Sequence, residues 1–208
     1  MRALLVVVVI AGCETGGPPD LSAKLVAHYP MDDVGAGKVA DASGNHHDGM
    51  CTTCPTVEPG KSASALRFDG GDQQVDVAPD PAFNEVVRGF SAAAWIKLDM
   101  APPQLPGCAM VKGAMWSICV TPELKPAFTS FAGSATLTMG EWHHIAISYD
   151  GKMKRIVLDG AEVGTTAASI LSEPGQLVLG AELIGLADDA RVFSGVLTDE
   201  EIAALVTP

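Results

Sequence analysis

The stretch GEWHHIAISYDGKMKRIVLDG, residues 140–160, decides the fold class because its apolar residues alternate. The odd positions from His143 to Tyr149 fall on one face of an extended chain, and the even positions from Trp142 to Ser148 fall on the other. Asp-Gly pairs at 150–151 and 159–160 interrupt the pattern, and such pairs are typical of tight turns between strands. The stretch therefore predicts a β-hairpin whose second strand covers residues 152–158.

The two adjacent histidines of this stretch, His143 and His144, raise the question of a metal or catalytic site. Adjacent residues of a strand point to opposite faces, so two such side chains seldom hold one metal ion. We therefore interpret both histidines as packing residues of the strand.

Alternating runs of this kind recur along the chain, with turn residues between them. The 208 residues include 22 Gly and 14 Pro, which suits many short strands joined by turns. This density of strands predicts a single all-β domain built as an antiparallel sandwich. Thr198 and Glu201 have the spacing of a capping box, so we also predict a short C-terminal helix over residues 199–206.

The charge of the chain excludes one class of partner. The formal net charge is −12, from 25 acidic and 13 basic residues. Nucleic-acid phosphates attract basic surfaces, so we expect no nucleic-acid partner. Acidic loops can instead hold a hard cation such as calcium.

The N-terminus has the features of an export signal. Met1-Arg2 precedes the apolar run ALLVVVVI, which is too short to span a bilayer, and Ile10-Ala11-Gly12-Cys13 follows. This segment resembles the lipobox of bacterial lipoproteins, which implies a signal peptide at 1–12, lipidation of Cys13 and a tether at 13–22. The protein would then sit at the bacterial cell envelope, on the outer membrane or the periplasmic face, held to the membrane by its lipid alone. The alternative is an ordinary signal peptide with a chance cysteine.

The four remaining cysteines predict two disulfides, because an even number in an exported chain favours pairing. CAMVKGAMWSIC, residues 108–119, indicates a hairpin around Gly113-Ala114, and counting outward places 112 opposite 115 and Cys108 opposite Cys119. Cys51 and Cys54 of CTTC would then form a local bridge. Alternatives for CTTC are a redox pair, which needs a helix N-terminus, and a zinc site with His46 and His47.

Five blocks in order resemble one family. LVAHYPMDD with DASGNHHDG, ALRFDGGDQQVDVAPDPAFN, GFSAAAWIKLD, the stretch from Gly140 and GLADDARVFSGVLTDEEIAAL are similar to the laminin-G-like, concanavalin A-like domains of bacteria. The resemblance implies a two-sheet jelly roll over residues 23–208. Met31 departs from the family, which has an aromatic there, and Gln73-Gln74 stand where the family has an Asp-Tyr pair.

The sequence contains neither of two catalytic motifs that would indicate a hydrolase. Glucanases of this fold carry a Glu-x-Asp-x-x-Glu strand that sets two carboxylates on one face, and the chain has no such run. It also lacks the Gly-x-Ser-x-Gly nucleophile elbow. We therefore expect a protein that is not an enzyme.

A calcium site is the metal site that the residues favour. DASGNHHDG concentrates carboxylate and amide oxygens, the ligands that calcium prefers. In the resembled family the first and last strands are neighbours, so the predicted ligands are Asp32, Asp41, Asn45 and Asp188. The alternative is a turn in which these side chains accept hydrogen bonds from backbone N–H groups.

The signal for a glycan ligand is weaker. Most aromatic residues fall in the family blocks and are expected in the core, which leaves Trp116, Phe128 and Phe83. Of these, Trp116 and Phe128 are the candidate ligand-binding residues. Trp116 shares a face with Ile118 and Val120, which favours the core for it as well. The predicted function is an envelope-anchored binding or adhesion module for a glycan or a surface protein. A structural envelope protein without a small ligand and a hydrolase-derived domain are the alternatives.

Overall fold

Sixteen strands form two antiparallel sheets of eight in the computed structural model, which describes residues 19–84 and 89–207. The main apolar cluster fills the space between the sheets and includes Ile145, Ile147 and Tyr149. This arrangement confirms the predicted antiparallel sandwich.

The first sheet, called sheet 1, contains the hairpin predicted over residues 140–160. Its strands are β1 (Leu25–Tyr29), β4 (Thr56–Pro59), β5 (Ser64–Asp69), β7 (Phe90–Leu98), β12 (His143–Tyr149), β13 (Met153–Leu158), β14 (Ala161–Ala167) and β16 (Ile184–Ser194). The order is β14-β13-β12-β7-β16-β5-β4, and β1 also pairs with β16. Ile147 lies opposite Ile156, so β12 and β13 form the predicted hairpin.

The second sheet, sheet 2, covers the other side of the core. Its strands are β2 (Lys38–Val39), β3 (Gly49–Met50), β6 (Val75–Val77), β8 (Gly107–Lys112), β9 (Trp116–Val120), β10 (Pro126–Phe128), β11 (Phe131–Ala132) and β15 (Leu177–Leu179). The order is β11-β10-β9-β8-β15-β6-β3-β2. Single 3₁₀ turns occur at Ser22–Lys24, Gly35–Gly37 and Pro81–Asn84.

The C-terminal helix α1 covers Asp199–Val206, as predicted, and begins with the predicted capping box. The Thr198 N–H donates to Glu201 Oε2 at 2.8 Å, and the Glu201 N–H donates back to the Thr198 hydroxyl at 3.2 Å. Ile202 and Leu205 pack on the outer face of sheet 1, in a second apolar cluster with Leu21 and Leu25. We call this second cluster the outer cluster.

Both disulfides form as predicted, Cys51 with Cys54 and Cys108 with Cys119. The predicted turn of the second bridge is wrong in detail, because Lys112 lies opposite Trp116 and not opposite Met115. A register shift between Cys108 and Met110 compensates for the longer turn, so the two cysteines still face each other.

The last strand changes its neighbour halfway along its length. Ala187 of β16 lies opposite Leu66 of β5, whereas Ala190 lies opposite Tyr29 of β1. Between these positions the register with β7 shifts, from Asp188 to Arg191. Such a β-bulge bends a strand and re-aims its side chains.

Residues 1–18, which include the predicted signal peptide and Cys13, lie outside the described part of the chain. Within the described part, no helix has the length and apolar character needed to cross a membrane.

Candidate functional site

A groove of about 290 Å³ opens on the outer face of sheet 1, where β16 bulges. We call it the bulge groove. Its charged and aromatic lining consists of His28, Asp32, Lys61, Trp95, Asp188, Asp189 and Arg191. The C-terminal end of α1 closes one side through Leu205. The site therefore combines residues from β1, β7, β16, the β4–β5 turn and the helix.

Trp95 forms the wall of the groove. His144, Trp95 and Asp188 are register neighbours on β12, β7 and β16, so they share the outer face. The ring of His144 lies 5.2 Å from the ring of Trp95, and the Lys61 ammonium lies 4.5 Å from the Trp95 ring centroid. Only 6% of Trp95 is exposed, so its position is fixed by packing.

Asp188 is held by the β4–β5 turn. Its Oδ2 accepts the N–H groups of Lys61 at 2.8 Å and Ser62 at 3.0 Å. Its Oδ1 is buried and has no hydrogen-bond partner among the described residues. Burial raises the pKa of Asp188 to about 6, because the N–H bonds only partly offset the loss of water around the carboxylate.

The turn can close over Asp188 because residue 60 is a glycine. A Cβ at this position would collide with the Ser64 carbonyl and lie 2.7 Å from Asp188 Oδ2. The contact between the turn and Asp188 therefore depends on Gly60.

Asp189 is the centre of an ion-pair cluster beside Asp188. Its Oδ1 lies 2.6 Å from Nε2 of His28 and accepts from Nη2 of Arg191 at 2.9 Å. Burial acts to raise the pKa of Asp189, but the hydrogen bond from His28 and the charge of Arg191 outweigh it and hold the pKa below its ordinary value. The cluster satisfies Asp189 within the protein, whereas Oδ1 of Asp188 has no partner among the described residues.

This arrangement can bind a small polar group. It offers the Lys61 donor, the free Asp188 acceptor and an aromatic wall within one concavity, which is the usual composition of a ligand site.

The four predicted calcium ligands do not gather at one site. Asp32 and Asp188 both line the bulge groove, whereas Asp41 and Asn45 lie outside its lining. Among the residues that the structure describes, no group of three or more His, Cys, Asp or Glu side chains could hold a metal ion. Asp32 Oδ1 accepts a hydrogen bond from the Ser64 N–H at 2.8 Å. Asp32 therefore binds the first residue of β5.

Asp41 has the alternative role considered for this loop, in which its side chain accepts hydrogen bonds from backbone N–H groups. Its Oδ1 accepts the N–H groups of His28 and Ser43, and its Oδ2 accepts the Ser43 hydroxyl and the His47 N–H. Burial acts to raise the pKa of Asp41, but these hydrogen bonds together lower it. The Asn45 side chain is also bonded within the protein, because its amide nitrogen donates to the carbonyl oxygens of Leu25 and Val26.

The loop as placed does not fit a calcium shell, because its carboxylate oxygens already accept protein donors. Calcium binding there stays a prediction that solution measurements must test.

The assignment of Trp116 and Phe128 to ligand binding is corrected by their burial. Trp116 is 1% exposed and Phe128 is 0% exposed. Both belong to the core between the sheets and contact Phe90, with ring centroids 5.5 and 6.0 Å away. Their inward position follows from the alternation of β9 and β10.

His143 and His144 lie in β12 and point to opposite faces, as predicted. His143 is bound through Nδ1 to Asp159 at 2.7 Å, and its Nε2 accepts the Thr138 N–H at 2.9 Å. His144 packs on Trp95, and burial lowers its pKa to about 4. His144 therefore supports the groove wall as a neutral ring at physiological pH.

Sequence reasoning missed most of the groove, namely His28, Lys61, Trp95, Asp189 and Arg191. One signal was available, because the consecutive aspartates of GLADDAR break the alternation of an otherwise regular strand. A break of this kind indicates a bulge, and bulges are frequent beside functional sites. No local signal joins Lys61 to Asp188, since 127 positions separate them.

A family model matches residues 69–203, and its description is the concanavalin A-like lectin/glucanases superfamily. No curated protein matches the chain.

Solved structures show the same fold at low sequence identity. The binding domain of Paraclostridial Mosquitocidal Protein 1 is 14% identical with a TM-score of 0.74, over 90% of this chain and 52% of that one. Domain 4 of AbnA, a GH43 extracellular arabinanase from Geobacillus stearothermophilus solved with arabinotriose, is 19% identical with a TM-score of 0.70, over 88% and 98%. Trypanosoma rangeli sialidase with sialic acid is 14% identical with a TM-score of 0.70, over 98% of this chain but 35% of that one. The chain thus spans about half the length of the mosquitocidal domain and a third of the sialidase.

Proposed function

Since the chain belongs to the concanavalin A-like lectin/glucanases superfamily, we propose that it is a non-catalytic binding module whose ligand, a glycan or a surface protein, occupies the bulge groove. The observation that carries the proposal is the Oδ1 atom of Asp188, buried without a partner among the described residues. An unsatisfied buried acceptor is costly, and a donor from a ligand would relieve that cost.

The solved neighbours support a binding role in general. One is named a binding domain, and another is an arabinanase domain in complex with arabinotriose. The non-catalytic part of the proposal rests on the sequence, which has no Glu-x-Asp-x-x-Glu strand.

The proposal includes the location of the module. A lipid on Cys13 would hold it at the surface of a bacterial membrane, where an adhesion or capture role needs no further anchor. Support for this part comes from the sequence of residues 1–13 alone.

A glycan array with the full chain tests the proposal, read once with calcium and once with a chelator. Ser62 is exposed at the rim of the groove, so Ser62→Trp should block the groove without disturbing the fold. Ser130→Trp, at an exposed turn outside the groove lining, is the matched control. We expect the native chain and Ser130→Trp to bind the same glycans and Ser62→Trp to lose them.

A glycan that binds Ser62→Trp as well as the native chain would contradict the proposed site. If no glycan binds, the same three proteins are used to capture surface proteins. Failure of both assays would favour the structural envelope role.

A further inference from the structure

Lys61 lies in the bulge groove, and its ammonium has no carboxylate partner in the part of the chain that the structure describes. The residue lies in the turn between β4 and β5, and its Nζ is 4.5 Å from the centroid of the Trp95 ring. Within the described residues, no carboxylate forms a salt bridge with it, although Asp32, Asp188 and Asp189 line the same groove. A cation over an indole face is attracted by the ring quadrupole.

The groove also contains an acceptor that the protein does not satisfy. Asp188 is 0% exposed, its Oδ2 is used by two backbone N–H groups, and its Oδ1 has no partner among the described residues. Asp189 differs, because His28 and Arg191 both contact it. Among the described residues, Oδ1 of Asp188 is therefore the carboxylate oxygen of Asp188 that the protein leaves without a donor, and Asp188 belongs to the groove lining.

An aromatic face beside a free carboxylate is the combination that recognises organic cations. A neutral hydroxyl could donate to Asp188, but it would not replace the cation that now lies over Trp95. A phosphate or carboxylate anion has no proton to donate to the unpartnered Oδ1 of Asp188, and it would lie beside three aspartates as well as Lys61, His28 and Arg191. A metal ion is disfavoured because the described residues contain no cluster suited to one.

We propose that the bulge groove binds a protonated amine or guanidinium group of its ligand, and that Lys61 holds this position in the free protein as a tethered substitute. The inference rests on the proposed function and adds the chemistry of the recognised group. Two sources carry that chemistry: the amino sugar of a glycan, and a lysine or arginine side chain of a partner protein. In both cases the ligand cation displaces Lys61 from Trp95 and pairs with Asp188.

The experiment compares the native full chain with Lys61→Ala by isothermal titration at pH 7.5 and low salt. Argininamide is the probe for a protein side chain, and glucosamine is the probe for an amino sugar. Citrullinamide and N-acetylglucosamine are their uncharged counterparts. We expect Lys61→Ala to bind at least one cationic probe ten times more tightly than the native chain, and to ignore both uncharged compounds.

Two further variants assign the effect to the groove. Asp188→Asn in the Lys61→Ala background keeps an oxygen for the two N–H groups and replaces the free acceptor with a donor, so it should lose the gained binding at least tenfold. Lys152→Ala, at an exposed turn, should bind like the native chain.

Absence of any gain in Lys61→Ala, equal binding of the uncharged compounds or retained binding in the double variant would each overturn the inference. These outcomes would leave the proposed function of the groove as a binding site untouched. A neutral glycan that Ser62→Trp excludes would support the groove as a binding site and refute the cationic group.

Discussion

Asp188 is a residue whose buried surroundings make its contribution to stability depend on pH. Its carboxyl is buried, and its pKa is raised from an ordinary value of 3.8 to about 6. The native state therefore keeps a proton that the unfolded chain has already lost. The contribution of Asp188 to the free energy of unfolding therefore falls as the pH rises from about 4 to about 6, and this loss persists at higher pH.

Asp188→Asn should remove this loss. The amide oxygen can still accept from Lys61 and Ser62, and no charge is buried at neutral pH. We expect an increase of about 1 to 2 kcal/mol in the free energy of unfolding at pH 7 and little change at pH 3.5. Urea unfolding across this range measures both values, with Asp72→Asn at an exposed turn as the control. An equal effect at both pH values would show that the buried charge is not the cause.

Substitution of Asp41 should lower the stability, because both oxygens of its carboxylate accept hydrogen bonds from the protein. Asp41→Ala leaves buried N–H groups of the loop without an acceptor, so we expect a loss of about 2 to 3 kcal/mol in stability even with a chelator present. Thermal melting separates this effect from calcium. A calcium ion at the loop would add several degrees to the native chain and none to the variant. An unchanged melting temperature in Asp41→Ala would contradict the turn role.

At the scale of elements, the sequence predicts the strands better than their irregularities. Alternation fixes β12 and β13, and the capping box fixes the start of α1, because each depends on residues close together in the chain. The turn at Gly113 and the shift near Cys108 are misjudged, although their effects cancel at the disulfide. The bulge of β16 depends on two different neighbouring strands, so pairing rules within one segment could not predict the groove that it opens.

The two disulfides should differ in their contribution to stability. The Cys108–Cys119 bridge closes a loop with a sequence separation of 11, whereas the Cys51–Cys54 bridge has a separation of 3. Constraint of the unfolded chain grows with loop length, so replacing Cys108 and Cys119 by alanine should cost about 3 kcal/mol, about 1 kcal/mol more than replacing the other pair. Urea unfolding of the two double variants measures the difference. A larger loss for the shorter loop would mean that native packing, not loop closure, sets the contribution.

At the scale of the whole molecule, the fold class follows from the sequence and the ligand site does not. Aromatic residues illustrate the reason. Trp116 and Phe128 were candidates for the surface but lie in the core, and Trp95, which was expected in the core, forms the groove wall. Periodicity assigns a residue to a face, but it does not say whether that face is covered by a helix, as at the outer cluster, or left open.

The anchor is the other property that belongs to the whole molecule. If Cys13 carries the lipid, Cys13→Ala should move the protein from the membrane fraction to the soluble fraction in its host. Detergent phase partitioning followed by immunoblotting measures the distribution, and Cys51→Ala with Cys54→Ala is the control that should stay with the membrane. A Cys13→Ala protein that remains in the detergent phase would refute the lipobox interpretation.

The packing of Leu21 determines the side of the sandwich to which a tether from Cys13 would attach. Leu21 lies in the outer cluster with Leu205, and Leu205 also lines the bulge groove. The described part of the chain therefore begins on the groove side of the sandwich. Between Cys13 and Leu21 an extended chain reaches at most about 30 Å. A lipid at Cys13 would consequently place the supporting bilayer within about 30 Å of this attachment point on the groove side.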